Sequence, residues 1–149
     1  MGVQSNPPPP GGPGDQTGEK IAPGVTREWL AEGRVVKYTL TNTLVDSLEA
    51  WAETAIQTME AWPPDRPYLA IHDVSAPAVI LTPHARRCSQ RIASAAPALK
   101  GRVAVIVPRG ALGHLLRIFL NRLMINSGKR LLKAFFSQEE ALAWLEEAL

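Results

Sequence analysis

The chain has one cysteine, Cys88, among its 149 residues. That excludes an internal disulfide and a cysteine-based metal cluster, and it makes a reducing, cytoplasmic setting the expected one. A long hydrophobic run is missing too. The strongest apolar stretch, Ala111–Met124, is broken by His114, Arg117, Asn121 and Arg122, so it is too short and too charged to span a bilayer. No apolar run follows a basic start, so no signal peptide is expected. Asn6 stands where a myristoylation motif opening at Gly2 requires Ser or Thr.

The most informative absence is of acid. Between Val74 and Gln138 there is no Asp or Glu. The same stretch holds Arg86, Arg87, Arg91, Lys100, Arg102, Arg109, Arg117, Arg122, Lys129, Arg130 and Lys133, which are eleven of the 16 Lys and Arg in the chain. A formal net charge of +2 therefore hides a basic half and an acidic remainder. Solvated surfaces usually mix signs, so the segregation predicts an anionic partner. Nucleic acid is not the expected one. The basic stretch has only Phe119, Phe135 and Phe136 for stacking, and no standard nucleic-acid motif is present.

What is present fits one α/β domain. Residues 1–24, "MGVQSNPPPPGGPGDQTGEKIAPG", are dominated by Pro and Gly and are expected to form a disordered tail, leaving 25–149 as the folded unit. "TREWLAEGRVVKYTL" predicts a hairpin turning at Glu32-Gly33. Leu44, Leu48, Trp51, Ala55, Met59 and Trp62 recur at three- and four-residue steps, a helix with Thr43 and Asp46 at its start and Pro63-Pro64 at its end. "PYLAIHD" is an unbroken apolar run, as in a central parallel strand. A helix from Pro83 to about Ala96 then buries Ala85, Cys88, Ile92 and Ala95. "RVAVIV", "GALGHLLRIFLNRLMI", "KRLLKAFF" and "SQEEALAWLEEAL" continue as strand, helix, strand and helix, the last with a Ser137/Glu140 capping box. The expected order is β-β-α-β-α-β-α-β-α, a mixed, mostly parallel sheet with an antiparallel hairpin at its edge.

From about Thr26 onward this order resembles the STAS domain (sulfate transporter and anti-sigma factor antagonist) and its SpoIIAA-like relatives. The resemblance rests on "AIHDVSAPAVILTPHARR", "GRVAVIVPRG" and "LKAFFSQEEALAWL", in order and at similar spacing. In that family a strand ends in an Asp-x-Ser-like segment. An apolar step and an Asp-Ser-Ser-Gly-like turn follow, and one Ser of that turn is phosphorylated by a partner kinase. Asp73-Val74-Ser75 and Val79-Ile80 match the first parts. Leu81-Thr82-Pro83-His84 then stand where the turn should be, with Pro83 at the phosphorylated position. The resemblance implies a switch loop without its switch. Thr82 is adjacent, but a Thr before a Pro that opens a helix is expected to be a cap.

The candidate chemistry is thin. His72 lies inside an apolar strand beside Asp73, where a hydrogen-bonded structural role is expected. His84 and His114 lie on early turns of two helices that could be neighbours, with no carboxylate or Cys expected beside them, so no metal is predicted. Cys88 falls on an apolar stripe. "VPRGALG" offers backbone N–H groups and Arg109 at a helix start, but close packing explains its glycines better. The helix "GALGHLLRIFLNRLMI" has more apolar residues than one face needs: Leu112, Leu115, Leu116, Ile118, Phe119, Leu120, Leu123 and Met124. That excess fits a protein interface, self-association included, or deep packing with snorkelling arginines, ahead of an anionic membrane surface.

The expectation is a non-enzymatic, cytoplasmic, STAS-like domain without catalytic residues, cofactor or metal. The resemblance implies regulation by protein–protein contact, as in bacterial signalling, with an acidic protein as partner. The expected contact residues are Thr82, Arg86, Arg87 and Arg91 at the former switch turn, and Arg109, Leu116, Arg117 and Leu120 beside it. The alternative is a domain binding a small anionic ligand or lipid head group on the same basic face. A concave pocket there would favour the ligand, and a flat patch with exposed Leu and Phe a protein.

Overall fold

The computed structural model describes residues 18–123 and 129–149. Expectations that fall on residues 1–17, on Met124 or on the side chains of Phe119, Asn121, Arg122 and Leu123 lie outside what is described. The elements run β1 (Glu19–Ala22), β2 (Val25–Leu30), β3 (Val35–Leu40), α1 (Val45–Glu60), β4 (Tyr68–Asp73), α2 (Pro83–Ser94), β5 (Gly101–Ile106), α3 (Ala111–Leu123), β6 (Arg130–Phe135) and α4 (Gln138–Glu146). The α/β class is as expected. The order differs by one strand, since β1 lies inside the segment expected to be tail.

"EKIA" is too short and too polar to announce a strand. Its partner makes it one. Glu19 pairs with Arg27 of β2, which is nearly buried and also donates to Thr58 Oγ1 of α1 at 3.0 Å. Without Glu19 that guanidinium would lose its counter-charge. The antiparallel edge is therefore a three-strand meander and not a lone hairpin.

All six strands form one sheet in sequential order, β1-β2-β3-β4-β5-β6. β1, β2 and β3 pair antiparallel, and β3 through β6 pair parallel. When each parallel crossover steps the same way and keeps the usual right-handedness, its helices fall on one face. The packing agrees. Val36, Tyr38, Tyr68 and Ala70 bury against α1 and α2, while Val105, Val107 and Ala134 meet Leu116 and Leu120 of α3. The opposite face, with Val35, Leu69, Ile71, Ala104 and Ile106, is covered by Ala141 and Leu145 of α4. β4 is buried on both sides, which is why Tyr68–Ile71 are consecutive apolar residues.

Two helix starts behave differently. Thr82 caps α2, its Oγ1 accepting from Ala85 N at 3.0 Å with Pro83 at the first helical position. Thr43 does not cap α1, contrary to expectation. Leu44 is the N-cap residue, without a side-chain cap, and Asn42 Oδ1 accepts from Leu44 N at 3.0 Å just ahead of it. Of the Ser137/Glu140 box, Ser137 Oγ accepts from Glu140 N at 3.3 Å. Among the described residues no helix is long and apolar enough to cross a membrane.

Candidate functional site

The sequence of α2 leaves a space in the molecule. Its one apolar stripe, Ala85, Cys88 and Ile92, is buried in the cluster it shares with α1. The next stripe around the helix, Arg86, Ser89, Gln90 and Ala93, has only the small Ala93 as an apolar side chain to lay on the sheet. α3 leans instead on β6, and Gly113 allows its first turn close to Pro108, since a Cβ there would collide with the Pro108 carbonyl oxygen. Between the two helices lies a cavity of about 750 Å³. Its floor is the sheet: Tyr68 and His72 of β4, Val103 and Val105 of β5, Arg130 and Leu132 of β6. Leu116 and Leu120 form one wall and the polar stripe of α2 the other, with Ile80 and Leu81 at the end where α2 begins.

Two polar groups in this apolar floor matter. His72 is 5% exposed, stacks on Tyr38, and accepts at Nδ1 from Trp51 Nε1 at 3.0 Å. An indole N–H can only donate, so Nδ1 is the acceptor and the neutral ring bears its proton on Nε2. Burial holds the pKa down at about 4, so the ring is neutral at pH 7. No hydrogen bond engages Nε2 among the described residues. Tyr68, 1% exposed, has a hydroxyl with no hydrogen-bond partner there either, and burial pushes its pKa well up. Each is a donor in an apolar wall, which is costly unless something accepts from it.

Arg130 is the residue the sequence concealed most completely. At 5% exposed, it donates to the carbonyl oxygens of Ala93, Ala95, Ala96 and Leu99 at 3.2, 2.6, 2.7 and 3.1 Å. It closes the C-terminus of α2, where a helix exposes unpaired carbonyls and favours positive charge. No local spacing links position 130 to position 95.

The expected contact residues divide into groups. Arg86, Leu116 and Leu120 line the cavity together. Arg91 grips Glu49 of α1, its Nη1 2.9 and 3.1 Å from the two carboxylate oxygens, and the pairing lowers the Glu49 pKa. Arg87 lies 3.3 Å from His84 Nδ1, and Thr82 is the cap already described. Arg109 is exposed on the turn before α3, and Arg117 lies over the Phe136 ring at 5.5 Å. Leu116 and Leu120 are half-buried on the sheet. Among the described residues the exposed large apolar side chains of α3 are Leu112 at 66%, Leu115 at 64% and Ile118 at 57%. The basic face is also smaller than its sequence suggests, because Glu49 reaches Arg91 and Glu147 reaches Arg102 at 3.5 Å.

His84 corrects another expectation. Glu49 Oε2 lies 2.8 Å from its Nε2, and Cys88 Sγ donates to the same oxygen at 3.4 Å. These donor atoms all lie within 4.8 Å of one another, a zinc-type set. Arg91 on both carboxylate oxygens and Arg87 at the other imidazole nitrogen place positive charge and donors where a bound cation needs acceptors. The cluster is satisfied as an ion-pair knot joining α1 to α2. Burial also pushes the Cys88 thiol pKa up, away from reactivity. His114, on a helix that could have neighboured that of His84, lies against Phe136 at 5.0 Å. Asp73 Oδ1 accepts from Ser75 N at 3.0 Å and from Ser75 Oγ at 2.6 Å, a closed turn at the end of β4. Comparison with family models, curated proteins and solved structures returns no match for this chain.

Proposed function

We propose that the protein is a non-enzymatic binding domain that takes an apolar small molecule into the cavity between α2 and α3. The observation behind this reading is a volume of about 750 Å³ over a largely apolar floor, in which the His72 Nε2–H has no hydrogen-bond partner among the described residues. Pockets of this size suit drug-sized ligands, and they pair apolar walls with a few polar groups. Among the described residues no Asp, Glu or Cys lines the cavity, so none of them offers His72 a carboxylate or thiol there as a catalytic partner. Arg86, one of the expected basic contact residues, lines this concave site, which supports a ligand over a flat protein contact. The test is titration of the full chain with an uncharged naphthylamine dye. Saturable binding at one site, lost in Ala93→Trp, is expected; dye binding that Ala93→Trp leaves unchanged would overturn the reading.

The second reading is the STAS-like regulatory domain acting by protein–protein contact in a cytoplasmic, bacterial setting. What supports it is the sequence resemblance and the outer face of α3, where Leu112, Leu115 and Ile118 stand in solvent. Capture of an acidic partner that is lost in Leu115→Ser/Ile118→Ser but kept in Ala93→Trp would favour this reading over the first.

A further inference from the structure

We infer that the cavity's occupant is a single-chain amphiphile with an anionic head, its head at the end where α2 begins and its chain along the sheet. This rests on the cavity being a ligand site and adds the ligand's class. Charge supports it first. Among the described residues no acidic one lines the cavity, and Arg86 stands exposed in its wall with no ion pair. That separates Arg86 from Arg91, Arg102 and Arg130, whose guanidinium groups are held by a carboxylate or by carbonyl oxygens.

Placement supports it second. α2 runs back from the C-terminal end of β4, so its first turns, with Arg86, lie over the strand end where His72 sits. His72 is a buried residue whose Nε2–H has no hydrogen-bond partner among the described residues. A head-group oxygen taking that proton donor and the Arg86 guanidinium would satisfy both. From His72 the floor continues down β4 to Tyr68 on the same face, four residues or about 13 Å along a strand. Val103, Val105 and Leu132 lie beside that path, with Leu116 and Leu120 above it. Arg86 and the His72 Nε2–H stand at one end and mostly apolar side chains line the path beyond, which suits one alkyl chain under one head. A carboxylate and a phosphate monoester share this chemistry.

The experiment titrates the full chain at pH 7 with dodecanoate, dodecyl phosphate and dodecanol, following tryptophan fluorescence and heat, alongside the uncharged dye. At least one of the two anions should bind about tenfold or more tighter than the alcohol, as one charge-assisted hydrogen bond would produce. Arg86→Ala, at an exposed position, should abolish that preference and leave dodecanol unchanged. His72→Gln, which keeps a donor, should retain more of the preference than His72→Phe. Which anion wins identifies the head. Equal binding of alcohol and anions, or Arg86→Ala weakening all three alike, overturns the anionic class while the dye still reports a cavity. Failure of the dye as well removes the cavity reading itself.

Discussion

At the scale of single residues, the molecule turns on polar groups in apolar places. His72 has a clear thermodynamic consequence. Its folded pKa of about 4 lies below the ordinary 6.5, so between those values the unfolded chain binds a proton that the folded one refuses. Stability from this group is complete above pH 6.5 and falls as pH drops toward 4, by roughly 3 kcal/mol in all. Urea unfolding at pH 7 and pH 4.5 should show that loss in the parent and a smaller one in His72→Gln, the difference being the histidine's share. Arg130 acts by geometry. Arg130→Met should cost about 2–4 kcal/mol, because it leaves carbonyl groups at the end of α2 unsatisfied. The same denaturation series measures it, and a cost under 1 kcal/mol would mean water replaces the guanidinium freely. His72 was legible as a buried, hydrogen-bonded histidine because it interrupts an apolar strand. Its donor, Trp51, was not, since the two lie on different elements.

At the scale of elements, α2 and α3 decide the site. The apolar spacing of α2 correctly marked Ala85, Cys88 and Ile92 as its buried side. It could not tell that this side would face α1, leaving a polar stripe over the sheet. In α3 the excess of apolar residues was visible, but the side that meets the protein was not. Leu116 and Leu120 were expected as contact residues and lie on Val105, Val107 and Ala134. Leu116→Ser with Leu120→Ser should therefore destabilise the fold by several kcal/mol, against a total of about 5–15 kcal/mol for such a domain. Leu115→Ser with Ile118→Ser should leave the circular dichroism spectrum and melting curve nearly unchanged. Equal losses in both pairs would mean that the outer face is covered. Thr82→Ala should cost about 1 kcal/mol through loss of its cap, read as a lowered urea midpoint.

At the scale of the whole molecule, the N-terminal edge is where expectation and structure part. Residues 1–17 are dominated by Pro and Gly and have little apolar content to bury. Deleting 1–24 removes β1, strips Glu19 from Arg27 and uncovers the end of α1. Deleting 1–17 should leave the melting temperature in place and the longer deletion should lower it by several degrees, by calorimetry. Equal melting temperatures would show that β1 contributes nothing to the edge.

The sequence alone determined the elements whose periodicity is local: the β2–β3 hairpin, the four helices, the buried β4 and the α/β alternation. These follow from side-chain spacing within a dozen residues, where 3.6- and 2-residue periods are read directly. It also determined the charge segregation, though not its neutralisation, because Glu49 and Glu147 lie far from Arg91 and Arg102 in the chain. Only the tertiary structure decided that Glu19–Ala22 is a strand, that Arg130 closes α2, and that a cavity remains between α2 and α3. Each depends on the distance between elements, and a cavity is what two packed helices fail to fill. No pattern along one helix specifies the space it leaves beside another.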